Sequence, residues 1–246
     1  MDFKQIWTKA RYEEFINYLK NLADLKYKEF HFKILNDNTV GFIGVQTPIL
    51  REIAKNILKN DYNGFLRFNE HKFYEEKAIH SFIIRHAEFT YVELIQAIKD
   101  FVPHISNWAL ADITAKKFPQ IIENKDIALK EILKFTRSNN PWEVRLGLVM
   151  SLSMYISKKY IYKILEVCKS INSEHRCCIE NEIPYYVKIG NAWLVSECYI
   201  KFPKITKNFL ETKILEKWVQ NKAVQKIKES FRVAKKDKIV LENLKI

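Results

Sequence analysis

At 246 residues, with 48% hydrophobic and 13% aromatic side chains, the chain is long and apolar enough to bury a core, which excludes disorder as a description of the whole. Only 5 Gly and 6 Pro are present, which argues against an all-β domain or a Rossmann-type domain, because both use glycine in turns and phosphate loops. The balance of 41 Lys and Arg against 29 Asp and Glu gives a formal charge of +12, a field that attracts polyanions and nucleic acid first; a Lys-rich surface inherited from an AT-rich genome is the alternative source of that charge.

The N-terminal stretch from Met1 to Phe15 is charged and aromatic and lacks the apolar core of a signal peptide. Helical periodicity then dominates. Tyr12 to Leu22 predicts a first amphipathic helix with Phe15, Ile16, Leu19 and Leu22 on one face. Asn36-Asp37-Asn38 reads as a turn, and Phe42 to Gln46 as an extended apolar connector. Thr47 is expected to cap a helix that Pro48 opens, running through Leu50, Ile53, Ala54 and Ile57. The pattern recurs from Tyr74 to His86, and further helices are expected near 91–101, 106–118, 126–136, 141–156, 158–170, 173–188, 191–201, 205–218 and 220–230. Glu75 and Glu76 are adequately explained as a first-turn acidic pair on the helix dipole, and His80 and His86 as structural or solvent-facing.

No strand pattern competes. Asn107-Trp108 runs to Lys117-Phe118-Pro119, and Asn191-Ala192-Trp193 runs to Lys201-Phe202-Pro203 over the same length, 84 residues on. That separation is about two periods of a HEAT-like helical repeat. The expected fold is therefore all-α: a solenoid of stacked helix pairs whose concave surface is basic. A single domain over 1–246 is expected, with N-terminal helices over 1–40, repeats over about 41–220, and a basic C-terminal helix over about 220–238.

Cys168, Cys177, Cys178 and Cys198 form no C-x-x-C and no zinc-finger spacing with His, so all four read as reduced, mostly buried thiols of a cytoplasmic protein. No P-loop, GxGxxG or HExxH occurs, no apolar run approaches membrane-spanning length, and neither a metal nor a cofactor is expected.

Four places carry chemistry. Ser106 caps a segment in which Trp108 and Asp112, four residues apart, share one helix face; Asp112 is either a functional carboxylate or a structural cap of a neighbouring helix. Arg145 lies one turn into a helix capped by Asn140 and opened by Pro141, and its planar fork suits a phosphate or an internal salt bridge to Asp112 or Glu143. Tyr185, Tyr186, Lys188 and Trp193 cluster within nine residues, in a core or against sugars and phosphates. The tail carries seven Lys and Arg between 222 and 238, among them Lys222, Lys226 and Arg232, interleaved with Ala223, Val224, Ile227 and Phe231. It reads as a terminal repeat that is solvated or touches DNA, in preference to a membrane-surface helix.

In this order the motifs resemble the AlkD-like DNA alkylation repair family, built of HEAT-like repeats. Gly44 to Arg51 is similar to that family's G-[IV]-x-x-P-x-x-R signature, and the likeness continues through Asn107–Asp112, Trp142–Arg145, Tyr185–Trp193 and Asn221–Ile227. The resemblance implies a DNA glycosylase that releases N3- and N7-alkylated purines from duplex DNA while leaving the base largely stacked. Asp112 then matches the catalytic carboxylate, and Trp108 and Trp193 the aromatic walls around the deoxyribose. Arg145 matches the phosphate contact, and Tyr185 and Tyr186 the paired aromatics near DNA. Ala109 and Ser196 depart from active relatives, which carry a polar residue at the first and can carry a basic one at the second. The implied partner is alkylated double-stranded DNA, bound by a monomer away from any membrane. A non-catalytic DNA-binding member of the family is the alternative, and a protein-binding solenoid a more distant one.

Overall fold

A computed structural model describes all residues from Met1 to Ile246; the chain is all-helical, with fifteen α-helices, two 3-10 turns and no strand. The helices group into two compact units, Met1–Thr114 and Ala115–Ile246.

The first unit contains α1 (Lys9–Asn21), α2 (Leu25–Leu35), α3 (Thr47–Leu58), α4 (Tyr62–Phe68), α5 (Tyr74–His86), α6 (Tyr91–Phe101) and α7 (Trp108–Thr114). Short polar residues start several of them. Thr8, Asp24, Asp61 and Thr90 each accept a backbone N–H from the first turn of α1, α2, α4 and α6, satisfying donors that a helix start leaves open. The expected Thr47 cap is not formed. Gln46 holds the capping position, and the Thr47 hydroxyl sits 3.0 Å from that of Tyr27. Helix α5 packs between α3 and α7, and its buried Ile79, Phe82 and Ile83 lie in the core of the unit.

The connector before α3 is extended, as its apolar run suggested, and α5 explains why it stays so. Glu75 is fully buried and accepts N–H bonds from Ile43 at 3.0 Å, Gly44 at 2.7 Å and Val45 at 3.3 Å. Gly44 has φ +108°, and a Cβ there would lie 2.8 Å from the Lys28 Cβ and 2.9 Å from the Asp24 carbonyl, so only glycine fits. The helix dipole is therefore not a sufficient account of the Glu75–Glu76 pair: Glu75 is the carboxyl group on which the connector folds, and Glu76 accepts the Phe73 N–H at 2.6 Å. Of the two readings of His80, structural or solvent-facing, the structure favours the structural one. His80 bonds His71 at 2.8 Å, and His71 stacks on His104 with ring centroids 3.6 Å apart. Burial drives the pKa of His71 and of His80 down to about 3, so this stack is neutral.

The second unit contains α8 (Pro119–Glu123), α9 (Lys125–Phe135), α10 (Pro141–Met154), α11 (Ile161–Ser170), α12 (Tyr185–Lys201), α13 (Pro203–Glu211), α14 (Lys217–Glu229) and α15 (Lys235–Val240). Helix α12 lies between α10 and α14, with α11 and α13 also packed on it and α9 packed on α10. Helix α10 is buried from Val144 to Ser151, so it shows no polar face through its middle. Gly147 lets α9 come close: a Cβ there would fall 2.7 Å from the Thr136 Cγ2 and 2.9 Å from its nitrogen.

Both Lys-Phe-Pro echoes place proline in the first turn of the next helix, α8 and α13. The expected helix over 173–188 is mostly absent. Residues 172–184 are turns, with Glu180 and Asn181 at φ 50° and 64°, and α12 begins only at Tyr185, after Pro184. The basic tail is two helices rather than one: α14 stops at Glu229 and α15 starts at Lys235. Cys168, Cys177 and Cys198 are buried and Cys178 is half-buried, all four as free thiols. Burial raises every one of their pKa values, to about 11 for Cys177 and about 12 for Cys198. No helix is long and apolar enough to cross a membrane, and no group of three His, Cys, Asp or Glu side chains is placed to hold a metal ion.

Candidate functional site

In the first unit, the start of α7 is fastened from behind. Asn107 is fully buried; its Oδ1 caps the helix by accepting the Leu110 N–H at 3.1 Å, and its Nδ2 donates to Asp37 at 2.9 Å. Ser106, expected as the cap, donates to the same Asp37 oxygen at 2.8 Å and lies 3.3 Å from the Lys77 ammonium. The other Asp37 oxygen accepts the Thr39 hydroxyl at 2.6 Å and its N–H at 2.9 Å. Burial alone would push the Asp37 pKa up, but the bonds from Asn107, Thr39 and Ser106 together outweigh it, and the carboxylate is held below its ordinary value. A residue read as part of a turn is thus an anchor for a helix some 70 positions away.

That anchoring decides what α7 shows to solvent. Ala109, Leu110, Ala111 and Thr114 are buried, whereas Trp108, Asp112 and Ile113 keep partial access. Trp108 and Asp112 therefore form one half-open stripe, as their spacing predicted. The Trp108 indole N–H donates to the Ile34 carbonyl at 3.3 Å, which fixes the ring against the last turn of α2. Asn36, at φ 48°, ends α2 in the left-handed conformation that asparagine tolerates, and turns the chain so that Asp37 follows inward. Ala109 is 8% exposed and belongs to the buried side of the helix.

In the second unit, the starts of three long helices are joined by aromatic contacts. Trp142, the second residue of α10, meets Tyr186 with ring centroids 5.4 Å apart. Tyr186 meets Tyr185 edge-on at 5.2 Å at the start of α12, and Tyr185 meets Trp218, the second residue of α14, at 5.7 Å. Helices α10, α12 and α14 thus begin side by side along one edge. Each brings the positive end of its helix dipole to this edge, which favours anions there. Two of the starts are capped: Asn140 accepts the Trp142 N–H at 2.9 Å, and Glu216 accepts the N–H groups of Trp218 and Val219 at 3.0 and 2.9 Å. Tyr185 is 57% exposed. Sequence reasoning missed Trp218; the available signal was a glutamate two residues before it, a capping spacing.

The cations expected to touch phosphate are held to different degrees. Arg145 is 5% exposed and donates from Nη1 to the Tyr186 carbonyl at 2.9 Å, so it ties α10 to the first turn of α12. Lys188 lies 3.4 Å from Glu182 and over the Trp218 ring at 5.8 Å. Lys222 donates to Gln225 at 3.0 Å and lines a shallow cleft with Trp218 and Lys245, whereas Lys226 is half-buried. Arg232 is taken up by a two-pronged ion pair with Glu197, its Nη1 3.0 Å from Oε2. Trp193 is half-buried on α12. Ser196 is 3% exposed and donates to the Trp193 carbonyl, so this position is buried in the second unit and offers no surface for a basic side chain.

A family model described as DNA alkylation repair enzyme matches residues 3–227. No curated protein matches the chain.

Proposed function

The chain belongs to the DNA alkylation repair enzyme family, and from that premise we propose that it is a glycosylase releasing N3- and N7-alkylated purines from duplex DNA. Alkylation at these nitrogens gives the purine a positive charge and makes it a good leaving group, so no strong general acid is needed. Breaking the N-glycosidic bond builds oxocarbenium character on the sugar. Asp112 stabilises that cation and positions the water that attacks C1′, leaving a free base and an abasic sugar. The Trp108 indole face attracts the same developing charge through its quadrupole, and Trp193 offers a face of the same kind. The observation that carries this reading is the half-open Trp108–Asp112 stripe on a helix whose other side chains are mostly buried and whose start is anchored by Asp37.

DNA is held through its backbone. The row of helix starts at Trp142, Tyr185–Tyr186 and Trp218 favours phosphates, with Tyr185 the most open ring against a sugar. Arg145 serves this contact by fixing the first turn of α12 in place. Lys188 and Lys222 add positive charge on and beside that edge; Lys226, in the last turn of α14, and Arg232, paired with Glu197, lie farther along. The test is release of 7-methylguanine or 3-methyladenine from methylated duplex DNA. Wild type should release base above the spontaneous rate, and Asp112→Asn should return to that rate. Equal release by the two proteins overturns the catalytic assignment, and binding without release by wild type marks a non-catalytic member of the family.

A further inference from the structure

The second unit also contains a cleft of about 690 Å³ between the ends of α9 and α11, closed on one side by the segment that follows α11. Three cations line it from three different segments: Arg137 just after α9, Lys163 on α11, and Arg176 beyond α11. None of the three is held in an ion pair, unlike Lys134 with Glu131 or Lys159 with Asp126 on neighbouring surface. Of the two carboxylates in the lining, Glu166 is engaged by Lys169 at 3.7 Å, which leaves Glu174 against three cations.

The wall that carries Arg176 is fixed by its neighbour. The Cys177 N–H donates to His175 Nδ1 at 3.2 Å, so the ring proton sits on Nε2, which donates to the Thr136 carbonyl at 2.9 Å. His175 thereby clamps the segment after α11 to the end of α9, and so fixes the part of the lining that carries Arg176. Two guanidiniums and an ammonium around one open cleft suit a tetrahedral oxyanion, which a guanidinium fork can engage by two parallel bonds. Arg137 opens the short link that ends at Asn140, the cap of α10, beside Trp142.

We propose that this cleft seats a phosphodiester group of the DNA backbone, as a contact additional to the row of helix starts; the proposal rests on the reading of the chain as a DNA-binding repair protein. Each phosphate contact contributes about 0.9 to the slope of log affinity against log salt. The experiment measures that slope on duplex DNA for wild type, for Arg137→Gln/Arg176→Gln, and for the control Lys130→Gln/Lys158→Gln, which removes the same charge from exposed positions of the same unit outside the cleft. All four side chains are exposed, and coincident thermal melting curves establish that each protein is folded. The cleft variant should flatten the slope by roughly 1 and weaken binding about 10-fold near 0.1 M salt. The control should stay close to wild type. Equal slopes for the two variants overturn the proposal while leaving DNA binding by wild type intact. Protection of wild type from thermal unfolding by inorganic phosphate, with an unchanged salt slope in the cleft variant, also overturns it and marks a site for a free anion. If wild type neither binds DNA at low salt nor releases base, it is the parent reading that has failed.

Discussion

Replacing Asp37 by asparagine tests whether α7 owes its placement to one buried carboxylate. Each oxygen of Asp37 accepts two hydrogen bonds, from Thr39 on one side and from Ser106 and Asn107 on the other. An asparagine has a single acceptor oxygen, so its NH2 must face one of these pairs. Facing Asn107, it meets an Nδ2 that cannot turn round, because the Asn107 Oδ1 is committed to the Leu110 N–H. Facing Thr39, it meets a backbone N–H. Either orientation strands one sheltered donor at roughly 1–3 kcal/mol, and the remaining bonds lose the strengthening that a charged acceptor gives. The Lys77 ammonium, 8% exposed, also loses a nearby countercharge. A destabilisation of about 3 kcal/mol is expected at pH 7, read as a shift in urea midpoint at unchanged slope. The pH dependence has a definite sign. The folded-state pKa of Asp37 is lowered, so its contribution is present above the ordinary carboxylate value and is lost as pH falls through the lowered one. The gap between wild type and Asp37→Asn should therefore narrow in strong acid. A variant within about 0.5 kcal/mol of wild type at pH 7, the range of an ordinary surface change, would refute the anchoring argument.

Two further outcomes follow from packing and burial. A methyl group at Gly147 meets Thr136 and the Ile132 carbonyl, at 2.7 to 3.1 Å, so Gly147→Ala should cost about 1–3 kcal/mol despite the better helix propensity of alanine; a melting temperature equal to wild type would show that α9 and α10 can move apart freely. Glu76 is 1% exposed, its Oε1 has no hydrogen-bond partner, and burial raises its pKa to about 7. Its contribution is present below the unfolded value near 4.5 and is lost as pH rises through 7. Glu76→Gln should thus match wild type near pH 4.5 and exceed it by up to about 3 kcal/mol at pH 8, at 1.36 kcal/mol per pKa unit, in paired urea titrations; a variant less stable than wild type at pH 8 contradicts the burial argument.

How much of this was legible in the sequence depended on whether the deciding contact was local. The helices at Tyr74–His86 and Tyr91–Phe101 were readable to the residue, because an apolar stripe with an acidic first turn is a local pattern. Asn140 and Pro141 announced α10 for the same reason. Helix α2 went unread: Phe30, Phe32 and Ile34 alternate with polar residues, all three remain exposed, and Leu35 is its one buried residue, so no helical stripe exists to be seen. The helix expected over 173–188 failed in the opposite way. Apolar residues recur there, but Pro184 bars its predecessor from helical geometry and the His175 clamp is tertiary. Of the candidate site, the shared face of Trp108 and Asp112 was legible from spacing alone. The anchor at Asp37 and the chain of rings through Trp218 were not, since each joins residues distant in the chain.

The thiols give the protein a chemical advantage in the setting its family implies. Methylating and oxidising agents attack sulfur as the anion, and three of the four cysteines are both shielded and kept in the protonated form. A repair protein built this way can work amid the electrophiles that damage its substrate without being inactivated first. Cys178, half-open beside His175 on the link between α11 and α12, is where such reagents would leave their earliest mark.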